Sequence, residues 1–220
     1  MKVHNLSHTN SVLNHFLHEI RDENIQKDRM RFRRNIERIG EVLSYEMSKS
    51  LEFESKTFNT PLDNSVFNEI KNNLVVCSIL RAGVPLHNGV LNYFDEVDSA
   101  FVSAFRKKSE NPDAEEDFEI IVEYLSSPSL EGKSLVLVDP MLATGLSMLN
   151  VLKALEKLGT PRSIHIISVI GAQPGVDLID DYLPENTHLW IGAIDDKLDE
   201  KGYIIPGLGD AGDLAYGKKL

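Results

Sequence analysis

Apolar residues follow two rhythms along this chain, and the change between them comes near residue 52. Before it they recur at helical spacing. One segment runs from about Asn10 to Asp22. A longer one spans Lys27–Ser50, with Met30, Ile36, Ile39, Leu43 and Met47 on one stripe. After it the stretch LEFESKTF alternates like a half-exposed strand, and Pro61–Asn64 marks a turn. Short apolar runs then predict strands at Leu74–Leu80, Ser99–Phe105, Phe118–Leu125, Ser134–Val138, Ser163–Ile170 and His188–Ala193. Helices are expected between them at Pro85–Tyr93, Gly145–Leu158 and Pro174–Leu183. Gly159 and Pro161 end the second of these in the order expected of a helix stop. Glu110–Asp117 is acidic and interrupted by proline, which predicts an exposed loop.

Strands alternating with helices define an α/β chain with a doubly wound, mostly parallel sheet. Ligands on such sheets bind beyond the carboxyl ends of the strands. No repeat or linker interrupts the pattern, so residues 1–220 are expected to form one domain, with a helical N-terminal extension over residues 1–50.

Composition narrows the classes. The 220 residues are 42% hydrophobic and 26% charged, which suits a globular protein. Net charge is −11, which argues against a nucleic-acid binder. Residues 1–50 hold nine Lys/Arg against seven Asp/Glu, leaving 14 against 27 elsewhere. An anionic substrate therefore needs a local cluster of donors. Arg29, Arg31, Arg33, Arg34 and Arg38 are interleaved with glutamates, so they read as a solvated or subunit-facing surface. His4, His8, His15 and His18 are spaced loosely like metal ligands, but no Cys or HExxH pattern accompanies them, so they read as surface histidines. The single cysteine, Cys77, lies in the run LVVCSIL and reads as a buried thiol. No stretch approaches the roughly 20 apolar residues of a membrane span, and the N-terminus has no secretory pattern; a cytoplasmic protein is expected.

The segment LVLVDPMLATGLSM (Leu135–Met148) carries the most chemistry. A buried strand ends at Asp139, a short loop follows, and a helix begins at Gly145. Unpaired amides at a helix start favour an anion, and the Thr144 and Ser147 hydroxyls add donors. Alone, the same pattern also describes an ordinary strand–loop–helix connection. The second glycine of a dinucleotide loop and the lysine of a P-loop are missing. Two further segments stand out. SILRAGVPL runs an apolar strand into Arg81-Ala82-Gly83, and GYIIPGLGDAGDLAYG, with four glycines and a proline before Tyr216, must form a tailored loop.

Together these segments resemble the uracil phosphoribosyltransferases, members of the type I phosphoribosyltransferase superfamily. The resemblance is strong at the three segments and weak before Ser78. It implies joining of uracil to phosphoribosyl pyrophosphate (PRPP), giving UMP and pyrophosphate in pyrimidine salvage. It assigns PRPP to Arg81, Arg106, Asp139, Pro140, Met141, Leu142, Ala143, Thr144, Gly145, Leu146, Ser147 and Asp210, and uracil to Ile204, Gly209, Asp210 and Ala211 in the loop 203–213. Arg81, Arg106, Asp139 and Asp210 act by charge and positioning, and no base for the uracil N1 proton is assigned. Mg²⁺ is implied as a PRPP-borne cofactor, with Asp210 as the candidate protein ligand. A homodimer or larger homo-oligomer is implied as well, and GTP is a candidate effector. One departure is Leu146, where the family usually carries a second glycine. The alternative function is a PRPP- and uracil-sensing regulator without catalysis.

Overall fold

The computed structural model describes residues 1–71, 73–108 and 118–219, with the backbone alone for residues 105–108 and 118–120. At its centre lie β4 (Leu74–Leu80), β5 (Asp98–Lys108), β7 (Ser134–Val138), β9 (Ser163–Ala172) and β10 (Thr187–Asp195). The order across the sheet is β1-β10-β9-β7-β4-β5-β6, with β1 at Lys2–Asn5 and β6 at Phe118–Ser126. All pairings are parallel except β5 with β6. The continuous apolar runs of β4 and β7 follow from helices on both faces, which leave neither side for polar residues.

One face is covered by α1 (Val12–Arg21), α2 (Arg29–Ser48) and α3 (Gly83–Leu91). Phe32, Ile36, Ile39, Leu43 and Met47 of α2 pack in one cluster with Val76, Val138 and Ile167 of the sheet. Each such side chain contributes about 1.5–3 kcal/mol on burial. The other face is covered by α4 (Leu146–Leu155) and α5 (Gln173–Tyr182). Both N-terminal helices start on side-chain caps. Ser11 and Asn14 form a reciprocal box, and Asp28 accepts from the amides of Met30 and Arg31.

Three expectations need correction. The first residues are not helical. They form β1, which extends the sheet alongside β10, because that edge offers free backbone groups and a ring for His4 to stack on. His4 is accordingly half-buried, whereas His8, His15 and His18 are exposed. The arginines of α2 lie on an exposed or half-buried face, as expected, and several also find partners within the chain. Arg31 pairs with the buried Glu19 at 2.9 Å, Arg34 with Glu37 at 2.6 Å, and Arg33 donates to Ala215 O at 2.7 Å. Finally, the LEFESKTF strand is exposed on both sides rather than one. It is β2 (Phe53–Asn59), paired only with β3 (Asn64–Ile70) as an antiparallel hairpin. The segment 110–117 lies outside the described residues.

A close helix crossing fixes α3. A Cβ on Gly40 of α2 would sit 2.8 Å from Leu86 O, and one on Gly89 of α3 would collide with Glu37 O. The two glycines let the helix backbones touch, which sets the direction in which α3 leaves the Arg81 turn.

Candidate active site

β4 and β7 are neighbours in register, with Ser78 beside Val138. Strand order reverses between them, since the chain proceeds from β4 outward to β5 but from β7 outward to β9 and β10. Such a switch point leaves a crevice beyond the strand ends. Here it is a cavity of about 510 Å³.

One wall is the loop after β7. Met141–Leu142 forms a short β8 beside Ile170 and Gly171 of β9, which pins the loop. Gly145 then turns with φ of 81°, and a Cβ there would meet Gly175 O at 2.9 Å and Ile179 Cγ2 at 3.0 Å. Only glycine satisfies both demands. No side chain caps the helix that follows, so the first amides of α4 are left for a ligand. Leu146 is the first residue of α4, has ordinary helical backbone, and does not line the cavity.

Asp139 forms the floor. Only a narrow part of the residue opens onto the cavity and protein surrounds the rest; the surrounding protein governs its charge. Burial pushes its pKa up to about 7, opposed by the hydrogen bond from Met141 N–H.

The opposite wall is the C-terminal loop. β12 (Ile204–Ile205) pairs with β11 (Lys197–Leu198), the Ile205–Pro206 peptide is cis, and α6 (Ala211–Tyr216) begins where the Asp210 carboxylate accepts from Asp213 N at 2.9 Å. Arg21 of α1 reaches across to hold this loop. Its guanidinium makes two bonds to Asp195, of 2.8 and 3.0 Å, and a third to Gly207 O at 3.2 Å. Asp195 in turn accepts from Gly207 N at 3.0 Å. Such a fork holds the loop backbone more rigidly than a single contact.

A side lobe of about 140 Å³ adjoins the cavity and contains Arg81. The Leu80–Arg81 peptide is cis. The Arg81 guanidinium donates to Gly217 O at 3.3 Å and, more weakly, toward Asp213 Oδ1 at 3.4 Å.

The structure thus gathers Asp139, Met141, Leu142, Ala143, Thr144, Gly145, Ser147, Ile204, Gly209, Asp210 and Ala211 around one cavity, with Arg81 in its side lobe. Pro140 and Leu146 stand outside the lining. The backbone of Arg106 lies in β5, and its side chain is outside the described residues. Sequence reasoning missed Lys201, Tyr203 and Lys219, which also line the cavity, and Arg21, which supports its wall. The need for local positive charge was the only hint of the lysines. Among the described residues no group of three or more His, Cys, Asp or Glu could hold a metal by itself. Asp139 and Asp210 nevertheless present hard oxygen donors to the cavity, a set that fits Mg²⁺ bound mainly to ligand oxygens and water.

Comparison with known proteins agrees with this geometry. Residues 7–218 match the family model described as uracil phosphoribosyltransferase. The chain is 50% identical over 220 residues to a uracil phosphoribosyltransferase of Porphyromonas gingivalis, covering all of both chains. It is 36% identical over 207 residues to one from Thermococcus gammatolerans, covering 93% of this chain and 88% of the other. Among solved structures, the AQ2163 protein from Aquifex aeolicus superposes with a TM-score of 0.87 at 29% identity, covering 99% of each chain. TT1426 from Thermus thermophilus, at 15% identity and a TM-score of 0.54, covering 84% of this chain and 91% of the other, shares the fold alone. The chain belongs to the uracil phosphoribosyltransferase family.

Proposed function

We propose that the chain works as one phosphoribosyltransferase domain that joins uracil to PRPP, forming UMP and pyrophosphate. The observation that carries this reading is the shared cavity: the Thr144–Ser147 loop and the Ile204–Ala211 loop face one hollow over Asp139. The Porphyromonas gingivalis relative, named as an enzyme, matches over its whole length, which supports catalysis over the sensing role.

The 5′-phosphate of PRPP rests on the amides of Ala143–Ser147 and the hydroxyls of Thr144 and Ser147. Pro140, whose carbonyl accepts from the amides of Val169 and Ile170, ties this loop to β9, and Leu146 opens the helix that follows it. The Asp139 carboxylate accepts from the ribose hydroxyls. Asp210 would be the protein ligand of Mg²⁺, which would supply positive charge to the diphosphate. Arg81 and Arg106 stabilise the charge that gathers on departing pyrophosphate. Backbone groups at Ile204, Gly209, Asp210 and Ala211 read the uracil edge, held in place by the Arg21–Asp195 fork. Uracil N1 then attacks C1′ from the face opposite the leaving group, so catalysis rests on positioning and electrostatics.

A homodimer or larger assembly is supported by the β2–β3 hairpin, whose Phe53, Phe58, Val66 and Phe67 are all exposed. An isolated two-stranded hairpin is marginal in water, so a second subunit is the natural cover. A cytoplasmic setting is supported by Cys77, the single cysteine of the sequence, which is free and buried. No described helix is long and apolar enough to cross a membrane. The deciding assay supplies labelled uracil, PRPP and Mg²⁺, with and without GTP, and scores UMP. UMP should form, and hypoxanthine should be rejected by roughly 10⁴-fold. Comparable turnover of hypoxanthine would overturn the uracil assignment.

A further inference from the structure

The side lobe around Arg81 is closed by the last described segment of the chain. α6 is clamped to α2, where Arg33 bonds Ala215 O at 2.7 Å and the Arg29 guanidinium lies against Gly217. Beyond Gly217 two consecutive lysines part ways. Lys218 lines a separate hollow of about 370 Å³ beside Lys27 and Arg29. Lys219 lines both the main cavity and the Arg81 lobe.

Charge explains why the second position matters. Asp139 and Asp210 both border the side lobe, and among the described residues its only cations are Arg81 and Lys219. Arg81 is itself shared with Asp213 and Gly217 O. In a chain of net charge −11, a diphosphate beside two carboxylates calls for more positive charge than one partly engaged guanidinium gives, even with Arg106 contributing from β5. An ammonium on a flexible stem can follow that group as it forms and leaves.

We propose that Lys219 is a further PRPP-binding residue, which meets the pyrophosphate group in the Arg81 lobe. Asp213 and Gly217 hold Arg81 in place before substrate arrives, and Lys219 brings a further cation to the same lobe. This rests on reading the cavity as the PRPP site.

The test compares Lys219→Gln, Lys219→Arg and Lys218→Gln with the unaltered protein. Calorimetry measures PRPP binding with Mg²⁺ and no uracil, and steady-state assays give KM for each substrate. Lys219→Gln should raise the Kd and KM for PRPP about tenfold, the loss of one charged contact. KM for uracil and Tm should not move. Lys219→Arg should recover most of the affinity, and Lys218→Gln should behave as the unaltered protein. Unchanged PRPP affinity in Lys219→Gln, or an equal loss in Lys218→Gln, would overturn the proposal while the cavity assignment stands. An unaltered protein that binds no PRPP would overturn the cavity assignment first, and the role of Lys219 with it.

Discussion

At the amino ends of β9 and β10, most polar groups are paired with one another, the buried Thr187 hydroxyl being an exception. Trp190 stacks on His4 with ring centroids 3.7 Å apart and planes 4° from parallel, and its Nε1 donates to His165 Nδ1 at 3.3 Å. His4 and His188 meet at 3.2 Å, and Ser163 donates to Ser134 at 2.8 Å. At the carboxyl ends of β4 and β7, Asp139 has a backbone amide against a large burial cost, and the amides of α4 have no cap. The same sheet supplies both ends, so the difference is one of purpose. A closed polar cluster stabilises the fold, whereas groups left short of partners are available to a substrate at the expense of stability.

The sharpest way to break that comparison is at Arg81. Arg81→Ala should lower kcat/KM for PRPP by about 10²–10³ while leaving Tm nearly unchanged, because its guanidinium is exposed. Arg81→Lys should recover only part, since an ammonium lacks the planar fork. Full activity in a normally melting Arg81→Ala would remove the lobe from the mechanism. Trp190→Ala should do the reverse. Loss of a buried ring costs about 3–5 kcal/mol, or roughly 10 °C in a chain of this size, with KM for both substrates unmoved.

Asp139→Asn joins the two effects in one residue. Its folded pKa of about 7 lies above the ordinary 3.8, so the folded carboxyl holds its proton more tightly than the unfolded one. Wild-type stability at this site therefore declines as pH rises from about 3.8 to about 7. The variant should lose activity yet melt a few degrees higher above pH 7, on a scale of roughly 2–4 °C per kcal/mol, and converge with wild type near pH 3.8. His165 carries the opposite sign. Burial, then the neighbouring His188 and His4, push it down to about 4, so its contribution is lost as pH falls from 6.5 through that value. Thermal scans across pH would show whether the acid limb persists in Asp139→Asn, as it should.

The smallest effect is expected at Leu146. Its backbone is helical and its side chain does not line the cavity, so Leu146→Gly should keep or lower KM for PRPP. The helix should lose about 1 kcal/mol, seen as a drop of roughly 2–4 °C in Tm. A large loss of PRPP affinity in the folded variant would show that leucine shapes the loop.

What the sequence determined by itself was local. The apolar runs, the stop at Gly159 and Pro161, and the DPMLATG segment each place their signal within a few residues, and the sheet class and the cavity-facing loops followed from them. The tertiary structure decided whatever depends on partners distant in the chain. Lys2–Asn5 becomes a strand because β10 offers an edge 186 residues away, and no pattern in four residues can announce that. Arg21 holds the base loop because Asp195 comes to meet it, and Gly40 and Gly89 matter because two helices cross there. The β2–β3 hairpin alternates as a sheet member would, yet pairs with nothing but itself. Lys218 and Lys219 are chemically identical neighbours in sequence, and only the path of the backbone after Gly217 directs one toward the substrate cavity and the other away from it.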